Sequence, residues 1–226
     1  MAELPSRWLT DHASVLPSSG DALDVACGLG RHALWLAERG LLVYGVDRDE
    51  EAVRALNDEA RARRLPLTAD VLDLERGNQV LAVAAYDLVV VVHYLHRPLF
   101  PQLIAALRPG GVLVYETFTT AQAARGKPTK GPALDVPSER ALGWSASVFL
   151  ARSARRGPLC ELQRVQNSRS GPHSGPTNPA FLLKPGELRD LVEPLEILAE
   201  REGDFDGRMV ASVVARRSDR RTEGGS

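Results

Sequence analysis

Net charge is the first thing this sequence lacks. Its 28 basic side chains face 29 acidic ones for a balance of −1, so it has no overall field of the kind that carries general nucleic-acid binding. Nucleic acid is therefore not an expected partner. Cysteine is nearly absent as well. Cys27 and Cys160 alone make neither a disulfide framework nor a cysteine-rich zinc site, and no metal is expected. No apolar run approaches the roughly 20 residues that span a bilayer. The opening Met1-Ala2-Glu3-Leu4-Pro5 has neither the basic flank nor the apolar stretch of a secretory signal. The expectation is a soluble, cytoplasmic protein with no membrane partner. Lysine is scarce too: among the 28 basic residues only Lys127, Lys130 and Lys184 are lysine. The arginines are scattered over polar helix faces, which points to coding bias before guanidinium chemistry.

What is present is an alternation of short apolar strands and amphipathic helices, the pattern of βαβ units and a parallel sheet. The spacing predicts strands at 22–26, 41–46, 66–69, 86–92 and 112–116, with helices at 31–39, 50–64 and 101–107 between them. The four valines Val89 to Val92 suit a central strand covered on both faces. A helix at 185–191 follows later, then strands at 195–199 and 209–214 joined by a loop holding Gly203, Asp204, Asp206 and Gly207. That composition is a hairpin's. The chain thus reads as one α/β domain over 1–217, its mostly parallel sheet ending in an antiparallel hairpin, with a disordered tail at 218–226. The stretch 130–176 has no sustained period and is rich in Gly, Pro, Ser and Arg, the composition of an inserted or disordered loop.

The strongest motif is Asp24-Val25-Ala26-Cys27-Gly28-Leu29-Gly30-Arg31-His32, at the end of the first strand. Glycines there let the backbone turn tightly and approach a ligand. Open α/β sheets bind ligands at that end of their strands. Taken alone, Gly28-x-Gly30-x-x-Ala33 also matches a dinucleotide loop. Three acids shift the balance. Asp24 inside the strand suits an ammonium group and repels phosphate. Asp47, at the end of the second strand, is placed to accept two ribose hydroxyls. Asp70, ending the third, is placed for an exocyclic adenine amine, with Val71 offering a backbone N–H. An amino-acid end, a ribose and an adenine without phosphate describe S-adenosyl-L-methionine.

At these residues the chain resembles the class I S-adenosylmethionine-dependent methyltransferases. Leu23 to Gly30 is similar to the family's first motif, Asp47 to the acid of its second, Thr68-Ala69-Asp70-Val71 to its third and Tyr86-Asp87-Leu88-Val89 to its fourth. Leu107-Arg108-Pro109-Gly110-Gly111 resembles the turn after the next helix, and Ala26 stands where a first glycine is common. Leu95-His96-Arg97-Pro98-Leu99 and Asn178 to Leu188 are similar to a bacterial-type subgroup grouped with tellurite-resistance methyltransferases. The resemblance implies a Rossmann-like seven-stranded sheet. It implies S-adenosyl-L-methionine held by Asp24, Ala26, Cys27, Gly28, Gly30, Asp47, Arg48, Asp70, Val71 and His93. His93 is also the candidate base, and Arg97 the candidate anchor for an anionic acceptor. Cys27 is a packing residue before a nucleophile. Nucleic-acid amino-methylating members of the fold carry Asp or Asn with Pro-Pro after the fourth strand. Val92-His93-Tyr94-Leu95 fills that place here, so a small-molecule acceptor leads. Two alternatives stay open: an RNA or protein methyltransferase docking through the basic stretch, and an NAD-dependent oxidoreductase.

Overall fold

The apolar runs become strands and the amphipathic ones helices, in a computed structural model that describes residues 4–76, 80–125, 176 and 178–219. Chain order is α1 (Arg7–Asp11), β1 (Asp21–Val25), α2 (Arg31–Glu38), β2 (Leu42–Asp47), α3 (Glu50–Arg63) and β3 (Leu67–Val71). Then come β4 (Tyr86–Val92), α4 (Phe100–Ala106), β5 (Leu107–Phe118), α5 (Ala121–Arg125), α6 (Glu187–Leu191), β6 (Glu196–Phe205) and β7 (Arg208–Arg216). Of the expected insert at 130–176 only Pro176 lies among the described residues; the rest of it, and the tail beyond Asp219, lie outside them.

The seven strands form one sheet in the order β3-β2-β1-β4-β5-β7-β6. All pairings are parallel except those of β7, which runs antiparallel to both β5 and β6. The strand β4 shows why a run of valines belongs at the centre. Leu88, Val90 and Val92 pack on one side with Leu9, Leu36 and Leu56. Val89 and Val91 pack on the other with Phe100, Leu103 and Tyr115. Both faces of the sheet are therefore covered, and period-2 alternation distributes one apolar run between two cores. Fully burying each such side chain contributes about 1.5–3 kcal/mol.

Two expectations at the carboxyl end of the chain are corrected. The hairpin loop is only Asp206 and Gly207, at φ 52° and 76°. Two successive left-handed residues make the tight turn whose twist matches the flanking strands. Gly203 and Asp204 therefore stay within β6, which is longer than its apolar core. The strand β5 likewise begins at Leu107, its register shifting around Pro109-Gly110-Gly111 before it pairs regularly with β4.

The strand order reverses between β1 and β4. Chains leaving the carboxyl ends of these two strands diverge to opposite faces, which opens a crevice there. Among the described residues, no helix is long and apolar enough to cross a membrane.

Candidate functional site

The β1–α2 loop is shaped by three left-handed residues, Ala26, Gly28 and Gly30, at φ 55°, 54° and 79°. Each has a different surrounding. A Cβ on Gly30 would lie 2.2 Å from Leu56 Cδ1, whereas one on Gly28 would meet nothing within 4 Å. Gly30 seats the loop against α3, and Gly28 faces open space. Ala26 holds the same backbone conformation with a Cβ, at a cost of about 1 kcal/mol. Cys27 points inward, close to where a Cβ on Gly45 would stand. Burial pushes its thiol well above the ordinary range, so it packs and does not react.

Asp24 is 1% exposed. Its Oδ2 accepts a hydrogen bond from the Ala33 N–H at 3.0 Å. The side chain ties β1 to the first turn of α2, and burial pushes its carboxyl up to about 7. Asp24, expected from its position to meet a ligand's ammonium group, holds this clamping bond. Asp47 ends β2 half-buried, accepting from the Gly28 N–H at 2.7 Å and the Asp49 N–H at 2.9 Å. Two of its lone pairs remain for further donors.

A cavity of about 660 Å³ opens beside this loop, lined among others by Ala26, Asp47, Arg48, Asp73, His93 and Tyr94. Asp70 and Val71 are not in its wall. Asp70 accepts from the Tyr44 hydroxyl at 2.8 Å, and Val71 is half exposed at the sheet edge. The Leu72 N–H donates to the Asp47 carbonyl, the last rung between β2 and β3, and beyond it Leu72-Asp73-Leu74 faces the cavity. Asp73, three residues after Asp70, is the carboxylate of this segment that lines the cavity.

His93, the first residue beyond β4, has φ 62°. Its N–H donates to the Glu116 carbonyl at 2.7 Å, and its ring stacks on Phe118 at 4.7 Å. The Nδ1 lies 3.3 Å from Arg31 Nη2. A guanidinium only donates, so Nδ1 accepts and the proton of the neutral ring sits on Nε2. Burial, then the Arg31 charge, lowers its pKa to about 4. The candidate base is therefore a neutral ring in this structure.

Arg97, the expected anchor for an anion, is engaged within the protein. Its Nε and Nη2 donate to the two carboxylate oxygens of Glu187 at 2.6 and 2.9 Å, and Nη1 and Nη2 donate to the carbonyls of Ala180 and Leu182. These bonds staple the 178–187 segment, with Phe181 in the cavity wall. Arg97 is a strut, and sequence spacing could not reveal it, because Glu187 lies 90 residues away.

His93 also lines a second cavity of about 300 Å³, with Arg31, Glu116, Arg201 and Arg208 among its walls. Glu116, 6% exposed, accepts from Ser6 and Ser212 hydroxyls and pairs with Arg201 at 3.1 Å. Only Arg31 of these belongs to a motif visible in the sequence. A carboxylate ending the apolar run of β5 was the one available signal for Glu116.

Comparison with known proteins places these features. Residues 22–111 match a family model described as a methyltransferase domain. Hemagglutinin 1 of Eikenella corrodens is 36% identical over 107 residues, 44% of this chain and 35% of that protein. TehB from Haemophilus influenzae shares the fold at a TM-score of 0.59 and 18% identity, covering 95% of this chain and 63% of that one. An S-adenosylmethionine-dependent methyltransferase from Mesorhizobium loti does so at 0.59 and 21%, covering 92% and 96%. The chain spans between a third and a half of the length of the curated relatives it matches. Residues 22–111 are thus similar to a methyltransferase domain, and the seven-stranded sheet built on them has the fold of the solved S-adenosylmethionine-dependent methyltransferases.

Proposed function

We propose that the chain is an S-adenosyl-L-methionine-dependent methyltransferase acting on a small-molecule acceptor. The observation that carries this is the hydrogen bonding of the β1–α2 loop. The N–H groups of Cys27, Gly28 and Gly30 already donate to Val46 O, Asp47 Oδ2 and Cys27 O. A loop that cradles a pyrophosphate needs such donors facing the ligand. Here they are engaged within the protein, and a carboxylate stands beside them. A nucleoside without phosphate fits this wall and a dinucleotide does not.

In this proposal Asp47 accepts the ribose hydroxyls and Asp73 the adenine amine, with Arg48 and Leu72 to Leu74 flanking the base. Ala26, Gly28 and His93 border the amino-acid end, while Cys27, Gly30 and Asp24 shape the loop from behind. The cavity volume of about 660 Å³ lies within the roughly 300–1,000 Å³ usual for small-molecule sites. When bound, the sulfonium supplies an already activated methyl group. The protein's part is to align the acceptor with it and to exclude water. Cavities of small-molecule size and Val92-His93-Tyr94-Leu95 after β4 support a small acceptor.

Calorimetry with S-adenosylhomocysteine tests the proposal. Saturable binding is expected, and Asp47→Ala should weaken it by about 1–3 kcal/mol, the worth of a charged acceptor to two hydroxyls. Saturable binding of NADH with none of the homocysteine nucleoside would overturn it.

A further inference from the structure

The smaller cavity is the feature that the cofactor assignment leaves over. It lies between α1, the β6–β7 hairpin and the carboxyl end of β5, and shares only His93 with the larger cavity. Four guanidinium groups border it, Arg7, Arg31, Arg201 and Arg208, against two carboxylates, Glu116 and Asp206. Much of this charge is paired. Arg7 reaches Asp206 at 3.4 Å. Arg201 is tied to Glu116 and held between the rings of Phe205 and Trp8, at 4.0 and 4.6 Å from their centroids. Arg208 stands apart. Its guanidinium has no carboxylate partner among the described residues, yet its charge acts on His93. The His93 Nε2 is buried without a hydrogen-bond partner, 3.9 Å from the Glu116 carboxylate, and carries the proton in the tautomer set by Arg31. One wall thus combines an unpaired guanidinium, a net positive charge and an unused N–H donor. A planar anion satisfies all three, because guanidinium forks match a carboxylate in geometry and charge. An amine meets a wall whose two carboxylates, Glu116 and Asp206, are already paired with Arg201 and Arg7 and whose remaining charge is positive.

Building on the methyltransferase assignment, we propose that the smaller cavity holds the methyl acceptor and recognises it by a carboxylate group, with Arg208 and the His93 Nε2–H as the anion's donors. His93 then stands at the boundary between donor and acceptor, a positioning residue for both. Specificity for a small organic acid follows from the wall and not from the motif loop.

Calorimetry on the full chain tests this, with benzoate, malonate, inorganic phosphate and benzylamine titrated alone and beside saturating S-adenosylhomocysteine. At least one carboxylate should bind and benzylamine should not. Arg208→Glu should weaken the carboxylate at least about tenfold, the loss of one charge-assisted hydrogen bond. Arg208→Lys should restore part of it, and S-adenosylhomocysteine affinity should move less than twofold in both. Arg208 is exposed beside the hairpin turn, so neither change threatens the fold. Absence of carboxylate binding at millimolar concentration overturns the inference. So does phosphate binding without carboxylate binding, or a loss of S-adenosylhomocysteine affinity in Arg208→Glu as large as the carboxylate's. Failure of the wild-type chain to bind S-adenosylhomocysteine counts instead against the cofactor assignment, since the carboxylates are also titrated without it.

Discussion

Two cavities meet at His93, and they were built in different ways. The larger takes most of its wall from short segments at the ends of β1, β2, β3 and β4, with Pro176 and Phe181 added from far along the chain. The smaller draws Ser6, Arg31, Glu116, Arg201 and Arg208 from five separate places in the chain. Backbone conformation and local hydrogen bonds shape the first; long-range ion pairs and ring contacts shape the second. The difference teaches where function is written. A site made of strand-end loops keeps its spacing in sequence, and a site made by the meeting of distant side chains does not.

The largest expected effect concerns the buried clamp of the first cavity. Asp24 has its carboxyl pushed up to about 7 by burial, against an ordinary value near 3.9 in the unfolded chain. The folded state then binds the proton more tightly than the unfolded one. Its contribution is full below about pH 4 and is lost as pH rises through 7. The size is of the order of 4 kcal/mol across that window. Asp24→Asn keeps an oxygen for the Ala33 N–H and cannot ionise. Denaturant melts from pH 4 to 8 should show wild-type stability falling relative to the variant. Parallel pH profiles would break the account of Asp24 as a desolvated clamp.

Next is Gly30. A Cβ there would lie 2.2 Å from Leu56 Cδ1, in a left-handed backbone. Overpacking typically costs about 1–3 kcal/mol, and the positive φ adds about 1 kcal/mol. Gly30→Ala should therefore lower stability by about 3 kcal/mol and displace the loop from α3. Gly28→Ala, with open space around it, should cost only the φ term, about 1 kcal/mol. Chemical denaturation of the two variants measures the contrast, and equal losses would mean that α3 does not seat the loop.

These contrasts also mark what could be read in advance. The loop, Asp47 and the central valines of β4 were legible because local rules act on neighbouring residues: glycine for a turn, an acid at a strand end, β-branched residues for a doubly covered strand. That Asp73 and not Asp70 lines the larger cavity was not legible, because it depends on the path of the chain after β3 and on the Tyr44 hydroxyl that Asp70 accepts from. The partners of Arg97 were likewise out of reach. Its charge suggested an anion, but Glu187 and two carbonyls from a segment far along the chain use its donors. A side chain's charge is visible in sequence and its partner is not.

The smallest expected effect separates conformation from contact at the shared rim. Ala26 has φ 55°, where glycine is unstrained and alanine costs about 1 kcal/mol. Replacing it by glycine removes that strain. The same change frees the unfolded chain, which opposes folding by about 0.4–1 kcal/mol. The two terms nearly cancel, so Ala26→Gly should leave stability within about 0.5 kcal/mol of wild type. Ala26 lines the larger cavity but not the smaller, so any effect on ligands should fall on S-adenosylhomocysteine alone. Calorimetry with that nucleoside and with a carboxylate checks it. A change in carboxylate affinity would show that the two cavities are coupled through the loop as well as through His93.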